Sequence, residues 1–279
     1  MNCILSQRLR TLAGMVPAGS IPADIGTDHG YIPIYLVQEG IAPKALAMDV
    51  RPGPLERARE HIEGSALAGK ITVRLSDGLT NLEPGEADTL IIAGMGGALI
   101  ERILTRGKQE GSLAGIRTLL LGPQSEPARV RSWILANGYV FDAEEMVEED
   151  GKYYPLIRAV AGERPDFAGA QDLPQPFGCG QDVRAFLLSS AETSEQGMQD
   201  GTGAAMWEEV LLEYGPVLLA GRHPVLHAFL QREERLCERI RQQIDEKGSA
   251  GTNEKRLEEL SLRLERIRLA YRFYQERSR

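Results

Sequence analysis

The sequence is poor in cysteine and has no long apolar run. Cys3, Cys179 and Cys237 are its only three cysteines, far apart and matching no zinc-ligand spacing. The expectation is therefore reduced thiols in the cytoplasm and no metal site. The longest apolar stretches, such as "TLIIAGMGGALI", are broken by glycine and fall short of a membrane span, so no membrane partner is expected. The opening "MNCILSQRLRTLAG" lacks an uncharged apolar segment ending in small residues, so no signal peptide is read there. An excess of positive charge is missing too: the net charge is −8. Residues 206–279 nevertheless hold 14 of the 32 Lys+Arg and 13 of the 40 Asp+Glu, which makes the tail near neutral and Arg-rich. Acidity overall weakens a nucleic-acid partner without excluding it, because binding follows local patches.

Hydrophobic content of 42% and charged content of 26% belong to an ordinary globular chain. Over the first 160 residues short apolar runs alternate with amphipathic ones, the pattern of a parallel α/β sheet. Strands are predicted at 21–26, 44–50, 71–77, 89–94 and 118–124, with helices at 54–67, 97–107 and 126–138. Two further β-prone runs, "YVFDAEEMVEE" and "KYYPLIRAVAG", are separated by Asp150-Gly151, a strong hairpin signal. Residues 163–205 are rich in Gly, Ala, Gln, Ser and Pro and read as a flexible linker. Beyond them, Leu257, Leu260, Leu264, Ile267, Tyr271 and Tyr274 form a heptad seam. Leu226, Phe229, Leu236, Ile240 and Ile244 line another long helix, and "KGSAGTN" (247–253) joins the two as an antiparallel hairpin. The expected organisation is 1–162, an α/β domain; 163–205, a linker; and 206–279, a helical coiled-coil domain.

The loop after the first strand, "ADIGTDHGYIP", has glycines for close backbone approach but lacks G-x-G-x-x-G. It also carries Asp24 and Asp28, which would repel a pyrophosphate. S-adenosylmethionine has no phosphate and bears sulfonium and ammonium cations that carboxylates attract. Gly26 and Gly30 admit such a ligand, although Asp24 alone could simply cap the loop. Asp49, at the end of the second strand, can accept ribose hydroxyls, as an acid there also does in dehydrogenases. Asp77-Gly78 ends the third strand, from where an acid reaches an adenine amine; a β-turn fits it equally. The fourth strand ends in "AGMGG", residues 93–97, without the Asn- or Asp-Pro-Pro-aromatic run common in enzymes that methylate exocyclic amines. Gly94, Met95, Gly96 and Gly97 leave room there for a substrate base. His223 and His227 are four apart, but no third metal ligand accompanies them.

These motifs, with "AMDVRPGPLERA", "SDGL", "LLLGPQ", "EEDGKYYPLI", the leading "LSQRLRTLAGMVPAGS" and the tail's "LEYGPVLL", resemble the bacterial tRNA (adenine-22-N1)-methyltransferase family. The resemblance covers roughly 1–160 and 208–279; the long 163–205 insertion departs from it. It implies a Rossmann-like class I methyltransferase sheet, a C-terminal coiled coil gripping tRNA, and S-adenosyl-L-methionine as methyl donor. Carried over residue by residue, it implies Asp24, Gly26, Asp28, Gly30, Asp49, Asp77, Gly78 and Gly94 at the cofactor. Met95, Gly96 and Gly97 would edge the substrate pocket, and Asp28 and His29 would stand nearest the chemistry. A monomer is expected. Two rival readings are a nicotinamide-dependent dehydrogenase, which needs a phosphate-friendly first loop, and a non-catalytic adaptor, which leaves acids at three strand ends unexplained.

Overall fold

The computed structural model describes residues 5–162, 202–246 and 254–275. Most of the expected linker (163–205) and the whole of the 247–253 turn lie outside the described residues. The chain divides into two compact units, residues 1–170 and 171–279.

In the first unit the order is α1 (Gln7–Gly14), β1 (Pro22–Ile25), α2 (Tyr31–Gln38), β2 (Ala45–Asp49), α3 (Pro52–Gly64) and β3 (Ile71–Leu75). It continues with β4 (Thr89–Met95), α4 (Gly97–Glu110), β5 (Thr118–Pro123), α5 (Pro127–Ala136), β6 (Tyr139–Glu149) and β7 (Lys152–Ala161). The seven strands form one sheet in the order β3-β2-β1-β4-β5-β7-β6. β1 to β5 run parallel, while β7 is antiparallel to both β5 and β6. Every residue of β1, β2 and β5 is buried, as a sheet covered on both faces requires. Strand order reverses between β1 and β4, so right-handed crossovers put α2 and α4 on opposite faces. The crevice at that reversal, outside the carboxyl ends of the strands, is where such sheets take ligands.

All seven expected strands form, and the Asp150-Gly151 hairpin has both residues at positive φ, 52° and 69°, as a tight two-residue turn demands. Two helices were not among those expected. α1 is short, and its N-cap is Ser6, whose side chain accepts from the Leu9 N–H. α2, "YIPIYLVQ", buries Ile32, Pro33, Ile34, Leu36 and Val37, so no polar face marks its period. Leu12, Leu36, Ile62 and Ile91 belong to one core cluster that joins α1, α2 and α3 to the sheet.

The second unit holds α6 (Thr202–Tyr214), α7 (Pro216–Ala220), α8 (Pro224–Glu246) and α9 (Glu254–Tyr271). α9 buries Leu260, Leu264, Ile267 and Ala270. It packs on α6 as well as α8, so the seam read as a two-helix hairpin is shared with a third helix. Arg263 pairs with Glu233 of α8, and Arg266 Nη1 lies 3.4 Å from Glu209 of α6. Those two arginines therefore bind between helices rather than along their own. The Tyr274 hydroxyl donates to the His223 carbonyl at 2.9 Å, and the His227 ring packs against Tyr274 with centroids 4.7 Å apart.

Candidate functional site

The site grows from the crevice between β1 and β4. Gly26 follows β1 with φ 80°, and its N–H donates to Met48 O of β2 at 2.7 Å; the Thr27 N–H donates to the same oxygen at 3.0 Å. That latch fixes the loop over the sheet edge. A Cβ on Gly26 would collide with the terminal methyl of Met95, so the β4 turn lies directly against the β1 loop. The positive φ is what calls for glycine, since the Met95 methyl at the end of a flexible side chain could move aside.

Asp24, on β1, is buried, and burial pushes its carboxyl up to about 7. The nearby Thr27 hydroxyl works against that rise, and the charge of Asp49 adds to it. Asp49 ends β2, also buried; its Oδ1 accepts from the Arg51 N–H at 2.8 Å. Two carboxylates of neighbouring strands thus meet at one sheet edge. Val50, the next residue, is exposed, an apolar side chain left bare beside them.

Asp28 behaves differently. Its side chain is 65% exposed and pairs with Arg57 Nη2 at 3.2 Å and His29 Nε2 at 3.5 Å. The His29 ring stacks on Tyr31 and on His61, with centroids 5.1 and 5.5 Å away. His61 Nδ1 lies 3.0 Å from the His29 carbonyl, to which it donates, while His29 Nδ1 is buried without a hydrogen-bond partner among the described residues. Gly30 is the left-handed N-cap of α2.

Asp77 does not join this cluster. Its side chain is 73% exposed and pairs with Arg106 of α4 at 2.8 Å, while Gly78 turns at φ 60° above Ile103. At β4, Gly94 has φ 82°, Gly96 caps α4, and Gly97 is its first residue. A Cβ on Gly97 would lie 2.8 Å from Ser125 O and collide with Glu126 O, so the α4 start and the β5–α5 turn touch backbone to backbone. Arg57, His61 and Tyr31 were not singled out in the sequence. Arg57 and His61 are four apart on the predicted 54–67 helix, so a shared face was there to be read.

The arrangement fits a ligand with cationic and hydroxyl groups. Buried acids line it, glycine backbone leaves space, and no lysine enters the loop. Among the described residues no group of three or more His, Cys, Asp or Glu could hold a metal ion.

Comparison with known proteins agrees. Residues 5–157 match the family model described as "Methyltransferase domain". The chain is 43% identical over 160 residues to the tRNA (adenine(22)-N(1))-methyltransferase of Bacillus subtilis (strain 168), a stretch spanning 57% of this chain and 66% of that enzyme. Superposed on the crystal structure of the B. subtilis M1A22 tRNA methyltransferase TrmK, it gives a TM-score of 0.73 at 32% identity, covering 96% of this chain and 99% of that one. Sp1610 of Streptococcus pneumoniae, solved in complex with S-adenosyl-L-methionine, gives 0.71 at 28% identity, covering 96% and 99%. The matched domain model, the sequence identity and the superposition over nearly all of both chains converge: the chain belongs to the tRNA (adenine-22-N1)-methyltransferase family.

Proposed function

We propose that this protein methylates N1 of adenine 22 in tRNA, using S-adenosyl-L-methionine. The observation that carries the reading is the meeting of two buried acids, Asp24 and Asp49, with the β4 glycine turn at one sheet edge. When bound, S-adenosylmethionine supplies an electrophilic methyl group on a sulfonium. Asp24 would hold its ammonium, Asp49 its ribose hydroxyls and Asp77 its adenine. Gly26, Gly30, Gly78 and Gly94 leave room for it, and Met95, Gly96 and Gly97 floor the space for the target base. Adenine N1 already has an in-plane lone pair, so no side chain has to create the nucleophile. What the protein supplies is orientation, exclusion of water and a negative charge for a base that becomes cationic. Asp28 provides that charge, and His29 positions the base. A tertiary-paired adenine must first leave its stack.

The helical unit serves the same reaction by gripping tRNA. Arg235, Arg239, Arg241, Arg268 and Arg272 are exposed there. None of them forms an ion pair with another described residue, which leaves their charge for phosphates. The protein works as a cytoplasmic monomer. The deciding experiment incubates it with bulk bacterial tRNA and labelled methyl donor, then analyses nucleosides. N1-methyladenosine is expected; a different methylated base would replace the target, and no incorporation would remove the activity.

Asp24 gives this reading a pH signature. In the unfolded chain its carboxyl titrates near 4, and in the folded protein burial raises it to about 7. Between those values the native state holds the extra proton, so this group's contribution to stability of the ligand-free protein falls as pH rises from about 4 to about 7. Cofactor binding runs the other way, because an ammonium pairs with the ionised acid. Affinity for S-adenosylhomocysteine is expected to rise up to about tenfold per unit below pH 7, then level off above it. Calorimetry from pH 5.5 to 8.5 reads this, and Asp24→Asn should flatten the slope. An equal slope in that variant rules Asp24 out.

A further inference from the structure

Arg8 stands on the first turn of α1, and its backbone N–H donates to Glu149 Oε1 at the far end of β6, 3.2 Å away. Its guanidinium lies over the Tyr154 ring, 4.9 Å from the centroid, with the side chain only 17% exposed. The approach of its Nε to Glu149 Oε2, 3.9 Å, is too long for a hydrogen bond. Nε and Nη1 are both buried, and neither donates to any described residue. A guanidinium cannot shed its charge, and desolvated donors left unpaired are costly. Such a group is complete only when an acceptor arrives.

The position of Nη1 says where that acceptor sits. It is 4.0 Å from the point a Cβ would occupy on Gly94, and the Gln124 side-chain nitrogen is 3.9 Å from the same point. Two N–H donors on separate elements therefore converge above the β4 turn, next to the loop that carries Asp24 and Asp28. The sign of the charge narrows the partner. Sulfonium, ammonium and a methylated base are all cationic, and a fixed positive charge would oppose each of them. Two oxyanions remain among the reactants, the carboxylate on the cofactor's methionine portion and the phosphate of the target nucleotide. Both match the planar fork of arginine.

We infer that Arg8 is a positioning residue that holds an anionic oxygen, carboxylate or phosphate, at the Gly94 turn. The inference rests on the methyl-transfer reading and adds to it a site for the negative end of a reactant. The test compares wild type, Arg8→Met and Arg8→Lys. Calorimetry measures S-adenosylhomocysteine against its decarboxylated analogue, and kinetics at saturating cofactor measure kcat and KM for tRNA. The ratio of the two ligand affinities is independent of how much of a variant is folded, which separates binding from stability. If the carboxylate is the partner, wild type prefers the carboxylated ligand at least about tenfold, Arg8→Met loses that preference, and Arg8→Lys keeps part of it. If the phosphate is the partner, the ratio is unchanged while KM for tRNA rises about tenfold in Arg8→Met, with kcat nearly constant and Lys again intermediate. An unchanged ratio together with an unchanged KM overturns the inference. Failure of wild type to bind S-adenosylhomocysteine overturns instead the reading on which it rests.

Discussion

Asp28→Ala is expected to lower kcat for tRNA methylation on the order of a hundred- to a thousandfold, with KM for tRNA and the thermal midpoint little changed. The magnitude is that of removing one preorganised charge aimed at where charge develops. The sign follows from the reaction: N1 gains a methyl group and a positive charge, and Asp28 is the exposed carboxylate on the loop that meets the β4 turn. Exposure also explains why stability should not suffer, since its pairs with Arg57 and His29 are open to solvent and such pairs contribute little. Arg57 adds a discriminating arm. At 3.2 Å it opposes the field of Asp28, so Arg57→Met should leave turnover unchanged or raise it if Asp28 acts through its own charge. A loss in Arg57→Met equal to that in Asp28→Ala would mean that the pair merely shapes the loop. Single-turnover rates at saturating cofactor make the comparison, and near-normal turnover in Asp28→Ala removes the residue from the mechanism.

How much of this could be read from the sequence depended on the range of the physics involved. Strands buried on both faces announce themselves by composition, as "ALAMD" and "TLLLGP" do, and Asp150-Gly151 specifies its own turn. Local rules sufficed there. α2 escaped because a helix buried nearly all round has no polar face to give a period. The third helix against the α9 seam escaped because a heptad records that a face is covered and says nothing of how many neighbours cover it. Placement of the acids at strand ends was legible for the same reason as the strands. Their states were not: Asp24 and Asp49 interact only because β1 and β2 are neighbours, and Asp77 meets Arg106 across 29 residues of sequence. Arg8 is the extreme case. The leading stretch that carries it was legible as part of the family resemblance, but the surroundings of its guanidinium depend on β6, β7 and β4 arriving together around α1.

Arg131→Met should destabilise the first unit by about 3–5 kcal/mol, the cost of leaving a buried charge without its partner. Arg131 on α5 and Glu144 on β6 have side chains 1% and 0% exposed, and Arg131 Nε donates to Glu144 Oε1 at 2.7 Å. Glu144 is fully buried, so solvent cannot take the place of the guanidinium that truncation removes. Breaking the pair from the other side, as Glu144→Leu, should cost a similar amount. The double variant Arg131→Met/Glu144→Leu should recover most of the loss, because apolar replacements of a buried pair are often neutral or better. At about 2–4 °C per kcal/mol for a unit of this size, each single variant falls by roughly 10 °C, while the double variant stays near wild type. Thermal unfolding followed by circular dichroism reads all three. Additive losses in the double variant would show that the pair is not coupled and that each side chain matters for its packing alone. The pair ties the α5 crossover to the antiparallel hairpin, and Glu149, on the same strand β6, anchors the Arg8 backbone. Loosening β6 through Glu144 is therefore expected to reach the Gly94 turn as well, as a weaker hold on S-adenosylhomocysteine even at temperatures where the variant is folded.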